Sequence, residues 1–170
     1  LDCKSATDLF DDGSNKESSN AYVIQILNDL CAPQNTADLV GVDANQFYTE
    51  HMKEQMRKGA LFLMDNTTPW FGDWQYGDGD PYTVDYASKI SPLRNLIDDP
   101  QIEYFSTKRQ SGNAPTYLTK VWDTVAKANF RNGWHEDSVA AHLENSNNPS
   151  HGHNDDLHLS LAAYGNYLLI

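Results

Sequence analysis

Cysteine is scarce: Cys3 and Cys31 are the only two among 170 residues, and their spacing fits no zinc pattern. A disulfide-stapled scaffold and a cysteine-built metal site are both excluded, while pairing between these two is left open by spacing. Basic charge is scarce as well. Twelve Lys and Arg stand against 24 Asp and Glu, a net charge of −12, which argues against general affinity for nucleic acid or anionic membranes, since such binding rests on clustered cations. A polyanionic substrate held in a locally basic cleft remains compatible with that balance. Long apolar runs are absent, so nothing approaches a membrane span, and no basic-then-apolar leader opens the chain. What is present is 39% apolar content, enough for a real core. A first residue of Leu1 and an apolar, strand-like end at Leu169-Ile170 give the expectation of a piece from within a longer protein, truncated at both ends.

The first part of the chain has helical signals. Ser18, Ser19 or Asn20 can cap a helix over Ala21 to Leu30, with Tyr22, Ile26, Leu27 and Leu30 near helical spacing, and Cys31-Ala32-Pro33 is expected to end it. A second helix is expected from about Ala44 to Met64, with Phe47, Tyr48, His51, Met52, Met56, Ala60 and Leu63 on one stripe. Such a stripe reads as core packing. Residues Ala87 to Phe105 look helical with a break near Pro100. Between them lies a loop, 67–82, rich in aromatic rings, glycines and aspartates. Aromatic faces beside hydrogen-bonding groups suit a sugar ring, which makes Trp74 a candidate substrate contact; a structural plug over a helical core is an equal reading.

From Lys108 the composition changes. Residues 109–115 read as a linker, Val121 to Arg131 fits either helix or strand, and Ser138 to Leu143, 157–161 and 167–170 read as strands. Leu157, Leu159 and Leu161 alternate with His158, Ser160 and Ala162, and Tyr164-Gly165-Asn166 is the turn of a hairpin. Helices first and strands last imply segregated units, 1–108 and 109–170, rather than a βαβ sheet. Before that hairpin, three of the six histidines crowd into His151-Gly152-His153-Asn154-Asp155-Asp156-Leu157-His158. On a strand, His151, His153 and Asp155 share a face, a pattern able to hold a proton or a metal. The same residues also read as a polar loop entering a strand. The metallo-β-lactamase signature fits poorly, since Asp156 stands where it requires histidine.

Two segments together carry a family resemblance. Arg131-Asn132-Gly133-Trp134, then His151-Gly152-His153-Asn154-Asp155 with Leu159-Ser160 beyond and Gly165-Asn166-Tyr167-Leu168-Leu169 after it, resembles the heparinase II/III-like polysaccharide lyases, a group that includes alginate lyases. Asp12-Gly13-Ser14-Asn15-Lys16-Glu17-Ser18-Ser19-Asn20-Ala21-Tyr22 is similar to that family's Asp-Gly-x-x-x-Glu-x-Ser-x-x-Tyr segment, with Val23 where a histidine often follows. Phe71-Gly72-Asp73 also resembles a motif near the end of its helical domain. The resemblance implies a multidomain, α-then-β fold: part of an α/α toroid over 1–108, then the first strands of an antiparallel β-sandwich over 109–170.

It further implies β-elimination on a uronic-acid-containing polysaccharide, alginate favoured, by a secreted or periplasmic enzyme. In such a reaction the proton α to the sugar carboxylate is removed and the 4-linked oxygen leaves. A general base and acid must flank those two atoms, and the carboxylate must be neutralised. The resemblance casts Tyr22 and His151 as catalytic, Arg131 as a substrate contact or a support of the sandwich, and His153 as a ligand to a structural zinc whose other ligands fall beyond this chain. A free phenol titrates near ~10, so Tyr22 needs cationic or hydrogen-bonding neighbours to act near neutrality. Read without the resemblance, Tyr22 is a core or interface aromatic. A uronyl C5-epimerase and a non-catalytic carbohydrate-binding protein are the alternatives.

Overall fold

The structure is a computed structural model in which residues 8–74, 84–148 and 153–169 are described, the side chains of 44, 146–148 and 153–156 excepted. Helix α1 spans Asn20–Val40, a 3-10 turn covers Ala44–Phe47, and α2 spans Glu50–Asp65. The short α3 (Tyr86–Lys89), a 3-10 turn at Ser91–Asn95 and α4 (Pro100–Ser106) follow. Strands β1 (Thr119–Trp122), β2 (Lys127–Arg131), β3 (Ala140–Asn148), β4 (His153–Ala163) and β5 (Asn166–Leu169) then pair in chain order as one antiparallel sheet. The helices-then-strands architecture expected from sequence is the one observed.

Helix α1 starts where expected, with the Ser19 hydroxyl accepting from the Ala21 amide at 3.2 Å. It does not stop at Pro33. A proline inside a helix disturbs the ladder one turn back, and here the Tyr48 hydroxyl fills the gap. It accepts from the Gln34 amide at 3.2 Å and donates to the Leu30 carbonyl at 2.7 Å. A bridged ladder lets α1 run on to Gly41, whose φ of 70° closes it.

Helix α2 begins later than its apolar stripe suggested, at Glu50, because Thr49 caps it and 44–47 forms a separate turn. Met52, Met56, Ala60 and Leu63 are buried in the core, while Phe47 and His51 are exposed. Pro100 begins a helix rather than breaking one: it follows the cap residue Asp99, whose carboxylate accepts from the Gln101 and Ile102 amides at 2.8 and 3.3 Å.

The segment expected to be a linker, 109–115, is a joint. The Arg109 guanidinium lies 4.2 Å from the Phe71 ring centre and donates to the Trp134 carbonyl at 2.6 Å, tying helical part to sheet. Both parts feed one hydrophobic core, with Trp122, Val125 and Trp134 packed among the helical residues. The ambiguous stretch 121–131 resolves into β1, a 3-10 turn and β2, the break falling at Ala126 with its φ of 51°. The predicted hairpin forms as β4 and β5 around Tyr164-Gly165.

The sheet buries its polar side. Lys127, Asn129, His142, Glu144 and Ser160 face inward and are buried, whereas Val121, Phe130, Leu157 and Leu159 are exposed on the other face. Alternation along these strands follows the expected period of two. What differs is which set of residues lies inside, and an apolar outer face is one that a sandwich covers with a second sheet.

Candidate functional site

The Asp-Gly segment acts as a tight turn that delivers Tyr22. Asp12 accepts from the Ser14 amide at 3.0 Å and from its hydroxyl at 2.6 Å, while Leu9 bridges Asn15. Gly13, at φ 91°, passes so close to α2 that a Cβ there would lie 2.2 Å from the Lys58 carbonyl carbon. Only glycine fits such an approach. The chain then reaches Ser18, at φ 53°, and enters α1 through Ser19, whose amide donates to the Asn15 side chain at 3.2 Å.

Tyr22 therefore sits in the first turn of α1, half-buried, and lines a cleft of about 390 Å³ with Asp8, Asn15, Lys16, Glu17 and Gln25. The first turn of a helix favours negative charge, while Asp8 and Glu17 place two carboxylates in the same lining. Among the described lining residues Lys16 is the one cation.

Behind the cleft runs a buried polar network that joins helices to sheet. The Asn20 amide group donates to the Asn66 carbonyl at 2.6 Å and to Asp73 Oδ1 at 2.7 Å. Asp73 also accepts from the Trp74 amide at 3.0 Å and, at Oδ2, from the Tyr86 hydroxyl at 2.7 Å. The Asn66 side-chain oxygen accepts from Asn129 at 2.9 Å, and Asn129 Oδ1 lies 2.8 Å from His142 Nδ1. Farther along, Glu144 Oε2 is 3.2 Å from the Lys127 ammonium and 3.5 Å from His142 Nε2. Lys127 also donates to the Ser18 carbonyl. Burial pushes the Asp73 carboxyl up to about 6, against its hydrogen bonds from Tyr86 and Asn20. Burial likewise pushes the His142 imidazole down to about 4, so it is neutral at ordinary pH.

Arg131 belongs to a second joint. Its guanidinium donates to the Asp65 and Thr67 carbonyls at 2.8 and 3.1 Å and lies 4.1 Å from the Trp134 ring centre, clamping the end of α2 to the sheet. Those contacts supply the supporting role among its two sequence readings, and Arg131 does not line the Tyr22 cleft. Beside it, burial pushes the Asp65 carboxyl up to about 7 although the Tyr117 hydroxyl donates to it at 2.8 Å. Trp74 has no exposed surface; its ring stacks on His142 with centroids 5.6 Å apart. In this conformation it offers no face to a sugar.

Of the histidines expected in the site, His151 lies outside the described residues. His153 begins β4 opposite Asn148 in the backbone register. A register shift between Glu144 and Ser146 puts Asp155 opposite Ser146, so positions 153 and 155 continue the line that 158, 160 and 162 follow beyond it. For zinc the test is the donor set: among the described residues no three His, Cys, Asp or Glu side chains come together to hold a metal, and no catalytic step is assigned to one. Cys31 is a free buried thiol, and its partner in the open disulfide reading, Cys3, lies outside the described residues.

Sequence reasoning missed Asn66, Lys127, Asn129, His142 and Glu144, and it met Asn20 only as a cap candidate and Asp73 only within the Phe71-Gly72-Asp73 motif, without the network that joins them. The strand period over Lys127-Ala128-Asn129 and His142-Leu143-Glu144 was the available signal, but such alternation ordinarily puts the polar set outside.

No family model and no curated protein matches the sequence. Solved structures match it in fold. A heparan sulfate lyase, HepC from Pedobacter heparinus, superposes with a TM-score of 0.81 at 19% identity, over 98% of this chain and 26% of that one. A heparinase III gene product gives 0.83 at 17% identity, over 98% and 26%. The fold is the heparinase III fold. A further heparinase III gives 0.76 at 23% identity, over 96% of this chain and 28% of its own. The chain thus spans about a quarter of the length of the heparinase III structures that it matches.

Proposed function

We propose that the protein to which this chain belongs is a polysaccharide lyase that cleaves a uronic-acid-containing chain by β-elimination, with Tyr22 as a proton-transferring group. The carrying observation is the fold: 98% of the chain superposes on a heparan sulfate lyase, and within that fold Tyr22 lies in an open cleft at a helix start. Elimination requires a base at the carbon α to the carboxylate and an acid at the departing 4-linked oxygen. A phenol held by a rigid first turn can serve either atom where the C5 proton and the 4-linked oxygen lie on one face of the ring, as in a glucuronate; in its C5 epimer they lie on opposite faces and a second group must take one of the two roles. The carboxylate must be neutralised for the carbanion to form. Lys16 is the described lining residue able to contribute.

The fold neighbours are named for heparan sulfate and heparin, so the substrate we propose is a glycosaminoglycan uronate; the alginate preference of the sequence reading draws no support from them. His151 is proposed as the second catalytic group. A structural zinc at His153 would draw its remaining ligands from beyond the described residues. A secreted or periplasmic location follows from the substrate, and no described helix is long and apolar enough to cross a membrane. Mass spectrometry of digestion products tests the reaction type. Elimination leaves fragments whose new non-reducing end lacks the elements of water. Saturated fragments would indicate hydrolysis, and an uncut chain with inverted uronate would indicate the epimerase.

A further inference from the structure

We propose that Lys127 is a positioning residue for Tyr22: from the inner face of the sheet its ammonium holds the Ser18 carbonyl, and through it the first turn of α1. The proposal rests on the reading of Tyr22 as the proton-transferring group. Lys127 and Glu144 have side chains 0% and 2% exposed and form an ion pair at 3.2 Å. Such a pair is poor at stabilising a fold, because desolvation offsets its attraction, and apolar residues of similar size commonly replace it without loss. What an apolar pair lacks is a donor for the Ser18 carbonyl.

That carbonyl is where the chain needs holding. Ser18 is in the left-handed region at φ 53°, which a non-glycine residue adopts at some expense in energy and keeps only when its surroundings enforce it. One residue on, Ser19 caps α1, and Tyr22 follows within the first turn. On the helical side the same turn is held by Asn20 through Asp73 and the Asn66 carbonyl. Lys127 supplies the matching hold from the sheet. Glu144 keeps the ammonium in place, and on its own strand His142 stacks on Trp74, the neighbour of Asp73. Both holds thus meet in one rigid frame, and a shift of Lys127 moves the phenol relative to that frame.

The test uses the full-length protein labelled with 3-fluorotyrosine, the Tyr22 resonance being assigned by its loss in Tyr22→Phe. Lys127→Met with Glu144→Gln removes both charges together, so the pair leaves no buried unpaired ion. The expected result is a near-native melting temperature, a displaced or broadened Tyr22 fluorine resonance, and a kcat lowered on the order of 100-fold, the size of a misplacement near 1 Å, with KM within about twofold. A Tyr22 resonance and kcat that stay native in that folded variant overturn the proposal and leave Lys127 a structural ion. If the double variant does not fold, Lys127→Arg keeps the charge for Glu144 but moves the donor, and the same pair of readouts decides. A wild-type protein without elimination activity refutes the lyase reading instead, and the fluorine resonance then judges the positioning by itself.

Discussion

Replacing Asp73 by asparagine tests the buried network through its protons. The Asp73 carboxylate is 1% exposed and accepts from Asn20, Trp74 and Tyr86, yet burial outweighs these bonds and lifts its pKa from 3.8 to about 6. A carboxyl whose pKa is higher folded than unfolded weakens the fold when ionised. That penalty is complete above about 6, shrinks as pH falls, and is gone below 3.8. The rise corresponds to about 3 kcal/mol, taking about 1.4 kcal/mol for each tenfold change in proton affinity. Asparagine at 73 cannot ionise and mimics the neutral acid. Urea unfolding of both proteins from pH 7.5 down to pH 3.5 should therefore show the wild type gaining about 3 kcal/mol relative to Asp73→Asn, mostly between pH 6 and pH 4. His142 titrates in the opposite sense in both proteins and largely cancels from the difference. A stability difference that stays flat across that window, or in which the wild type loses ground as pH falls, would refute the dominance of burial over hydrogen bonding at this carboxylate.

Tyr48→Phe removes the hydroxyl that bridges the α1 ladder and leaves the Leu30 carbonyl and Gln34 amide without it, so denaturation should show a loss of roughly 1–3 kcal/mol. In a Pro33→Ala background the helix can close its own ladder, and a double-mutant cycle should return a coupling of about 1 kcal/mol; zero coupling would separate Tyr48 from the proline. Gly13→Ala places a Cβ 2.2 Å from the Lys58 carbonyl carbon at a φ of 91° and should lower stability by roughly 3 kcal/mol in a thermal melt. An unchanged melting temperature would mean that the turn does not press on α2 in solution.

Much of the fold was legible because local signals and tertiary packing agree. Ser19 at the head of α1, the Met52, Met56, Ala60 and Leu63 stripe, and the Tyr164-Gly165 turn each form as their residue types suggest. Pro33 misled because the compensating hydroxyl comes from Tyr48, fourteen residues beyond the Gln34 amide that it bonds. The sheet misled in another way. Period two fixes which residues share a face but not which face is buried, and here Lys127 and Asn129 turn inward to Ser18 and Asn66 of the helical part, while His142 and Glu144 beside them bond Asn129 and Lys127 within the sheet. For the candidate site, the motif places Tyr22 in the first turn of α1 through local turn and cap signals, whereas the need for glycine at 13 comes also from α2, which packs against it. Asn20, Asn66 and Asp73 acquire their meaning only when positions 46 and 53 apart in the chain are folded together.

The most direct measurement is the ultraviolet absorbance of newly formed unsaturated uronate when the full-length protein meets heparan sulfate, heparin, chondroitin, hyaluronan and alginate in turn, with Tyr22→Phe alongside. The account predicts a rise on a heparan-type polymer that falls by at least about a hundredfold in Tyr22→Phe, the scale of a lost proton-transfer group. No rise on any of the five, or a rise that Tyr22→Phe leaves intact, would contradict it.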